Sequence, residues 1–459
     1  MNASSERNRE EQPALVSREA SDKQAGESQK SKKKAERGVW SEKMLRTLAR
    51  GVKGGKWFSL IDKVYAERTL SLAWEKVKSN AGACGVDGIS IDHFNKDRET
   101  RLLAVKEQLK SGSYQPQPVK RVEIPKPGSQ QPRPLGIPTV TDRVVQGALH
   151  LVLEPIYEHR FSDQSYGFRP GRSCHDALRC VHGQLKGGLN HVVDIDIQGY
   201  FDTIDQERLM ELLKEDLSDG RVLKLIASYL DAGIIEDGIW HSREKGSPQG
   251  AVLSPLLSNL YLDELDHKME AYGYGMTRYA DDMVMLCASA EQAQEALETV
   301  REWMGASGLT LHREKTRLVD MNEVGAHFDF LGYRFKRTKR GRILPLVRPK
   351  SERKLRENIR QKTRRCNKDS MEEIIKGINP LLRGWFGYFK QAYRNEHQKL
   401  DGWVRMRLRS IYRKRHKKRG RGRGNDHHRW PNQHFAELGL FSLEAAQREV
   451  ISLRHGVKH

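Results

Sequence analysis

Two adjacent carboxylates, Asp281 and Asp282, lie in the stretch Thr277-Arg278-Tyr279-Ala280-Asp281-Asp282-Met283-Val284-Met285-Leu286. Met283 to Cys287 is almost wholly apolar and reads as a buried strand, which puts the acids at a hairpin tip. Like charges placed there repel unless a cation lies between them. Mg²⁺ suits the role, because it takes one or two carboxylates together with phosphate oxygens. A further acid comes from upstream. His191 to Ile197 alternates as a strand, with Asp194 and Asp196 on one side and Val193, Ile195 and Ile197 on the other. If the two strands are neighbours, Asp196, Asp281 and Asp282 converge as two-metal phosphoryl transfer requires. An upstream hairpin carries Lys126 and Arg133, which suit the phosphates of a nucleotide.

The elements that must hold these groups can be read from periodicity and turn chemistry. Val119 to Ile124 alternates as a strand, Pro125 to Gly128 is a turn, and Arg133 to Pro138 returns as a second extended segment. The spacing predicts helices over Thr141–Arg160, Cys174–Leu185 and Glu291–Gly305. The loop Lys245 to Gly250 opens a long apolar helix through Leu265, and Asp205 is a plausible N-cap. Short strands Leu309–Leu311 and Thr316–Val319 flank Lys315, and Phe328 to Phe335 reads as a hairpin. Ahead of these, Trp57 to Tyr65, Leu70 to Val77 and Phe94 to Lys110 carry helical periodicity. Residues 1–38 have hardly any large apolar side chains and are expected to be disordered.

The net charge of +21 and a pI near 9.7 call for a polyanionic partner. The charge is concentrated: Lys336 to Arg423 holds 31 basic and 7 acidic residues, leaving the rest slightly negative. Trp385, Phe386, Tyr388 and Phe389 interleave with Arg383, Lys390 and Arg394 there. Aromatics among arginines suit RNA, although the rings equally suit the core of a helical domain. Lys414 to Gly424 reads as a flexible basic linker, and Trp430 to His459 as a small helical module. No apolar run reaches membrane length, and the first forty residues lack a signal-peptide core. Five scattered cysteines without a Cys-x-x-Cys pair argue against a disulfide framework or zinc ribbon and suit a reducing cytosol.

Taken in order, these motifs resemble the bacterial group II intron-encoded reverse transcriptase/maturase family over roughly residues 56–459. Tyr279-Ala280-Asp281-Asp282 is similar to the reverse-transcriptase signature. Ile124-Pro125-Lys126-Pro127 with Arg133 to Ile137, and Tyr166-Gly167-Phe168-Arg169-Pro170-Gly171, resemble the two finger blocks. Asp194 to Asp202 resembles the first palm motif, and Gly246-Ser247-Pro248-Gln249-Gly250 the nucleotide-pocket loop. Gly308 to Thr316 and Phe330-Leu331-Gly332-Tyr333 resemble the last palm motifs, and Asn379 to Phe389 the maturase region.

The resemblance implies roles. Asp196, Asp281 and Asp282 would be catalytic and, with the Ile197 carbonyl, would ligate two Mg²⁺ ions. Lys126, Arg133 and Lys315 would serve the triphosphate, with Lys315 placed as a general acid for pyrophosphate. Phe201, with Tyr200 as the alternative if the register slips by one, would exclude a ribose 2′-hydroxyl. Gln249 and Gly250 would line the nucleotide pocket. Phe330, Leu331, Gly332 and Tyr333 would grip the primer, while Arg169 would contact template or pin its loop. Arg383, Lys390 and Arg394 would face intron RNA.

The implied fold is α+β, a right-hand polymerase whose fingers and palm carry antiparallel sheet, followed by a helical thumb/maturase domain. The expected divisions are a tail (1–38), a helical extension of the fingers (39–115), fingers and palm (116–338), a basic thumb/maturase region (339–424) and a C-terminal segment (425–459). The implied activity is RNA-directed DNA synthesis from deoxynucleoside triphosphates. Its partners would be an RNA template, group II intron RNA, and a DNA target and primer, in a bacterial cytoplasm at the nucleoid. An RNA-binding maturase with an idle polymerase site, or a host-adopted reverse transcriptase in defence or repair, would share most of these motifs. No suitable Cys/His set follows Cys366, so the zinc-containing His-Asn-His endonuclease of many relatives is not expected.

Overall fold

The computed structural model describes residues 39–49, 56–125, 132–243, 245–420 and 424–456. Lys126 and the expected tail lie outside the described residues. Among the N-terminal helices, α1 (Glu67–Asn80) buries Leu70, Ala73, Trp74 and Val77, the stripe its spacing predicts, together with Thr69. Trp57 to Tyr65 gives only one helical turn, at Ile61–Val64, and Phe94 to Lys110 breaks into Ile91–Lys96 and Arg98–Ser111.

The hairpin β1 (Val119–Ile124) and β2 (Arg133–Ile137) pairs Ile124 with Arg133 and leads to α2 (Val140–Glu158). The Thr139 hydroxyl caps α2 by accepting from Asp142 N–H at 3.0 Å. α3 (Cys174–Lys186) follows the Tyr166–Ser173 loop, and β3 (His191–Asp196) follows α3. Two short strands, β4 (Ile234–Glu236) and β5 (Ile239–His241), extend the β1–β2 hairpin into a sheet ordered β2-β1-β4-β5. β1 and β4 run parallel, the other pairs in this sheet antiparallel.

α4 (Ser254–Ala271) precedes the hairpin β6 (Gly275–Tyr279) and β7 (Asp282–Cys287); α5 (Ala290–Ala306) and β8 (Arg317–Asp320) follow. The four palm strands are ordered β6-β7-β3-β8, all antiparallel. Strand alternation sends the two faces of this sheet into different cores. Val193, Ile195, Met283 and Met285 join one with α2, α4 and α5; Val192, Val284 and Leu286 join another with α3.

The second core continues without interruption into the C-terminal half. A three-stranded sheet of β9 (His327–Phe330), β10 (Tyr333–Arg337) and β11 (Ile343–Val347) adds Phe328, Phe330, Tyr333 and Phe335. α6 (Pro349–Lys362), α7 (Met371–Phe389) and α8 (Arg394–Arg415) add Leu355, Ile375, Trp385, Phe389 and Leu408. Trp430, Phe435 and Leu443, the last at the start of α9 (Leu443–Gly456), close it. The C-terminal segment is therefore part of the thumb core. The expected linker is shortened, because α8 runs through Arg415.

Candidate active site

Neighbouring strands bring the predicted acids together. In the β3–β7 pairing Asp196 stands directly opposite Asp282, and Asp281 precedes it in the β6–β7 turn. Opposed like charges destabilise a strand pair, so the pairing favours a cation. The one that answers Asp196 here is Lys315, whose Nζ donates to Oδ1 at 2.9 Å. Lys315 thus lies against the acid rather than free in the pocket. The loop carrying it is tied to the same strand, since His312 N–H donates to the Asp196 carbonyl at 2.8 Å and Gln198 N–H to the Thr310 carbonyl at 2.9 Å. Ile197 faces Leu311 between those two bonds. In such a non-hydrogen-bonded pairing its own carbonyl points the other way, towards the β7 side.

Asp194 shares the Asp196 face and is held by Arg317 at 3.1 Å. Burial, with the charges of Asp329 and Asp196, nevertheless pushes its carboxyl up to about 6. It is a neighbour of the site within an ion pair of its own.

The turn itself is strained and clamped. Ala280 sits at φ +59° while Asp281 does not share that left-handed backbone, the pattern of a II′ hairpin that normally takes glycine. A non-glycine residue there costs about 1–2 kcal/mol. A buried network holds it. Arg278, wholly buried, forks onto the equally buried Asp266 of α4 through Nε and one terminal nitrogen. Its other terminal nitrogen donates to Asn259 Oδ1 at 2.9 Å and to the Ala280 carbonyl at 3.1 Å. Asn259 in turn donates to the Gly167 carbonyl at 2.8 Å. Gly167 packs so closely that a Cβ there would stand 2.3 Å from Ala280 N. Sequence reasoning gave no role to Arg278, Asp266 or Asn259. The available signal was a lone charge in an otherwise uncharged strand, which must find a counter-charge if buried.

Other predicted residues divide. Tyr200 is buried and its hydroxyl donates to the Ser258 carbonyl at 2.7 Å, so it cannot reach a sugar. Phe201, beside it, is half-buried and packs against the same core. Gln249 and Gly250 lean on the fingers hairpin: Gly136 N–H donates to the Gln249 carbonyl at 2.7 Å. Gly250, at φ +114°, leaves no room for a Cβ, which would meet the Gly136 oxygen at 2.5 Å. Arg133 is placed at the start of β2 by its backbone pairing with Ile124.

Arg169 is buried and its donors are spent on Glu158 and on the Ser162 and Ser165 carbonyls, so it pins its loop and is not a template contact. Phe330, Leu331 and Tyr333 are also buried, against the expectation of a primer grip by their side chains. Tyr333 donates to the Tyr388 carbonyl at 2.6 Å and Tyr388 donates back to the Leu331 carbonyl at 2.8 Å, which joins palm to thumb. Leu331 (φ +48°) and Gly332 (φ +79°) form the tip of this hairpin. In the thumb, Trp385, Phe386 and Phe389 are core residues. Arg383 is exposed over Phe441, Lys390 is half-buried, and Arg394 pairs with Glu444 at 3.3 Å.

Among the described residues no three His, Cys, Asp or Glu side chains close into a metal-sized cluster. The three acids are thus brought to one strand end without forming such a cage. Two carboxylates and an outward carbonyl still form an all-oxygen donor set that fits Mg²⁺, which takes its remaining ligands from water and phosphate.

Comparison with known proteins identifies the family. Residues 124–335 match the reverse transcriptase (RNA-dependent DNA polymerase) family and residues 352–430 the group II intron, maturase-specific domain. The group II intron-encoded protein LtrA of Lactococcus lactis subsp. cremoris is 44% identical over 195 residues, 42% of this chain and 32% of that protein. The chain thus spans about a third of LtrA. Protein YkfC of Escherichia coli (strain K12) is 35% identical over 304 residues, 56% of this chain and 78% of that protein. A chain of the partial Cas6-RT-Cas1–Cas2 complex aligns with a TM-score of 0.35 and 25% identity, over 54% of this chain and 42% of that one. With a palm that sets two aspartates opposite each other and both domain matches in order, this chain belongs to the group II intron reverse transcriptase/maturase family.

Proposed function

We propose that this protein copies RNA into DNA by two-metal nucleotidyl transfer and binds its intron RNA to assist splicing and mobility. The observation that carries the reading is Asp196 opposite Asp282, with Asp281 in a turn clamped by Arg278. Asp196, Asp281 and the Ile197 carbonyl would hold two Mg²⁺ ions, with Asp282 in support. When bound, the ions supply charge stabilisation for the attacking 3′-hydroxyl and the departing pyrophosphate.

The chain's own residues would do the rest. Lys126 and Arg133 bind the triphosphate of the deoxynucleotide. Phe201 excludes the 2′-hydroxyl, and Gln249 and Gly250 shape the base pocket. Lys315, which lies against Asp196, would donate a proton to pyrophosphate. The hairpin tip at Leu331 and Gly332 meets the primer through its backbone. The RNA template, intron RNA, DNA target and primer meet the basic thumb/maturase region, at the bacterial nucleoid. Among the described residues no helix is long and apolar enough to cross a membrane.

The test is primer extension on an RNA template with deoxynucleotides and Mg²⁺, comparing the wild type with Asp281→Ala/Asp282→Ala of matched thermal stability. Extension by the wild type alone is expected. Equal extension by both would overturn the site; tight, salt-sensitive RNA binding without extension by either would leave a maturase with an idle palm.

A further inference from the structure

A cavity of about 520 Å³ opens between α6 and α8 in the thumb, away from the strands that carry the aspartates. Arg356, Arg360, Arg365, Arg407 and Trp403 line it, and no acidic side chain does. Arg356 is answered by Glu352 at 2.6 Å and lies over the Trp403 ring, 4.8 Å from its centroid. Arg360 approaches the same ring at 5.8 Å. Arg407 is fixed by donating to the Thr363 hydroxyl at 3.1 Å and carbonyl at 2.5 Å. Arg360, Arg365 and Arg407 form no ion pair among the described residues. Burial, reinforced by the charges of Arg360 and Arg365, holds the Arg407 guanidinium below its usual range. Three uncompensated cations gathered around a partly buried cavity repel one another, and an anion placed between them relieves that repulsion.

We infer that this cavity binds a phosphodiester carrying an unpaired base: the phosphate between Arg360, Arg365 and Arg407, the base against Trp403 and its flanking guanidinium planes. The volume admits one nucleotide. Guanidinium forks match phosphate oxygens, and an aromatic ring accepts any base that is free to stack. A base inside a duplex cannot reach such a ring, so the site selects single strands. It rests on the reading of this chain as a nucleic-acid enzyme, yet uses none of the polymerase residues. Failure here therefore leaves Asp281-dependent extension untouched.

Three probes test it with the full chain: a short single-stranded oligoribonucleotide, the deoxyribonucleotide of the same sequence, and the RNA duplex it forms with its complement. The variants are Arg360→Gln/Arg365→Gln and Trp403→Leu, with thermal unfolding checked. Each variant is expected to weaken single-stranded RNA binding about tenfold while duplex binding changes less than about twofold. The arginine variant is also expected to make the log–log salt dependence shallower by about 0.7 for each phosphate it no longer neutralises. Weaker binding of the RNA strand alone assigns the occupant to RNA; equal weakening on the deoxyribonucleotide assigns it to either strand. Equal weakening of duplex and single strand, or no weakening, overturns the proposal. Arg360 is exposed whereas Arg365 is half-buried and donates to the Ser410 and Lys418 carbonyls, so Arg360→Gln alone decides the matter if the other variants prove unstable.

Discussion

Tyr200 and Phe201 are adjacent aromatics with opposite fates, and their difference is testable. Tyr200 belongs to the core and spends its hydroxyl on Ser258. Phe201 is half-buried, and it is the ring we propose to meet the sugar. Phe201→Ala is expected to raise ribonucleotide incorporation relative to deoxynucleotide by about tenfold or more, an open steric block being the cause. Tyr200→Phe should leave that ratio unchanged and lower stability by about 1 kcal/mol, the usual net worth of one hydrogen bond. Single-nucleotide incorporation kinetics and thermal melts separate the two. The sequence placed both rings beside Asp196 but left their register open, because which of two neighbours faces inward depends on the helix packed behind them. Arg169 illustrates the same limit: a charged side chain in a loop looks solvent-facing until the carbonyls and the carboxylate that surround it are known.

Among the elements, β3 and α2 were legible from their periodicity and β7 from its unbroken apolar run, and their caps and turns agree with it. What periodicity could not supply was the contact between α4 and the β6–β7 turn. Asp266 and Asn259 lie on a helix whose partners are set only by tertiary packing. The Arg278–Asp266 pair is a positioning device for Asp281, and its role can be separated from folding. Arg278→Met alone strands a buried carboxylate and is expected to cost about 3–5 kcal/mol. Arg278→Met/Asp266→Leu should regain most of that stability, since an apolar pair of similar volume needs no counter-charge. Extension should nevertheless stay reduced about a hundredfold, with a higher Mg²⁺ requirement, because the Ala280 carbonyl is no longer anchored. Recovery of full rate at the original Mg²⁺ requirement would show the pair to be a folding element alone.

At the scale of the molecule, one apolar core runs from the outer face of the palm sheet to the last helix. His397 is buried within it, edge-on to Trp385 and Phe386. Burial lowers its pKa from the ordinary value near 6.5, so the folded protein favours the neutral ring. The unfolded chain then binds the extra proton as pH falls, and stability present above pH 6.5 is lost below it. His397→Leu should flatten this, with wild type losing up to about 2 kcal/mol more than the variant between pH 6.5 and 5. Chemical denaturation across that range measures it. The family matches break between residues 335 and 352, near where the sequence turns basic. Phe330 and Tyr333 looked like surface grips because nothing in their own hairpin shows that α7 covers them.

The joint made by Tyr333 and Tyr388, each closing on the other's strand or helix, bears on inheritance as much as on architecture. A lineage that kept only the RNA-handling half could silence the aspartates at little structural cost. It could not discard the strands beneath them, since the thumb would lose the wall it is built against. Descendants without polymerase activity should therefore carry a complete but chemically mute palm, and genes cut at the apparent boundary should be rare.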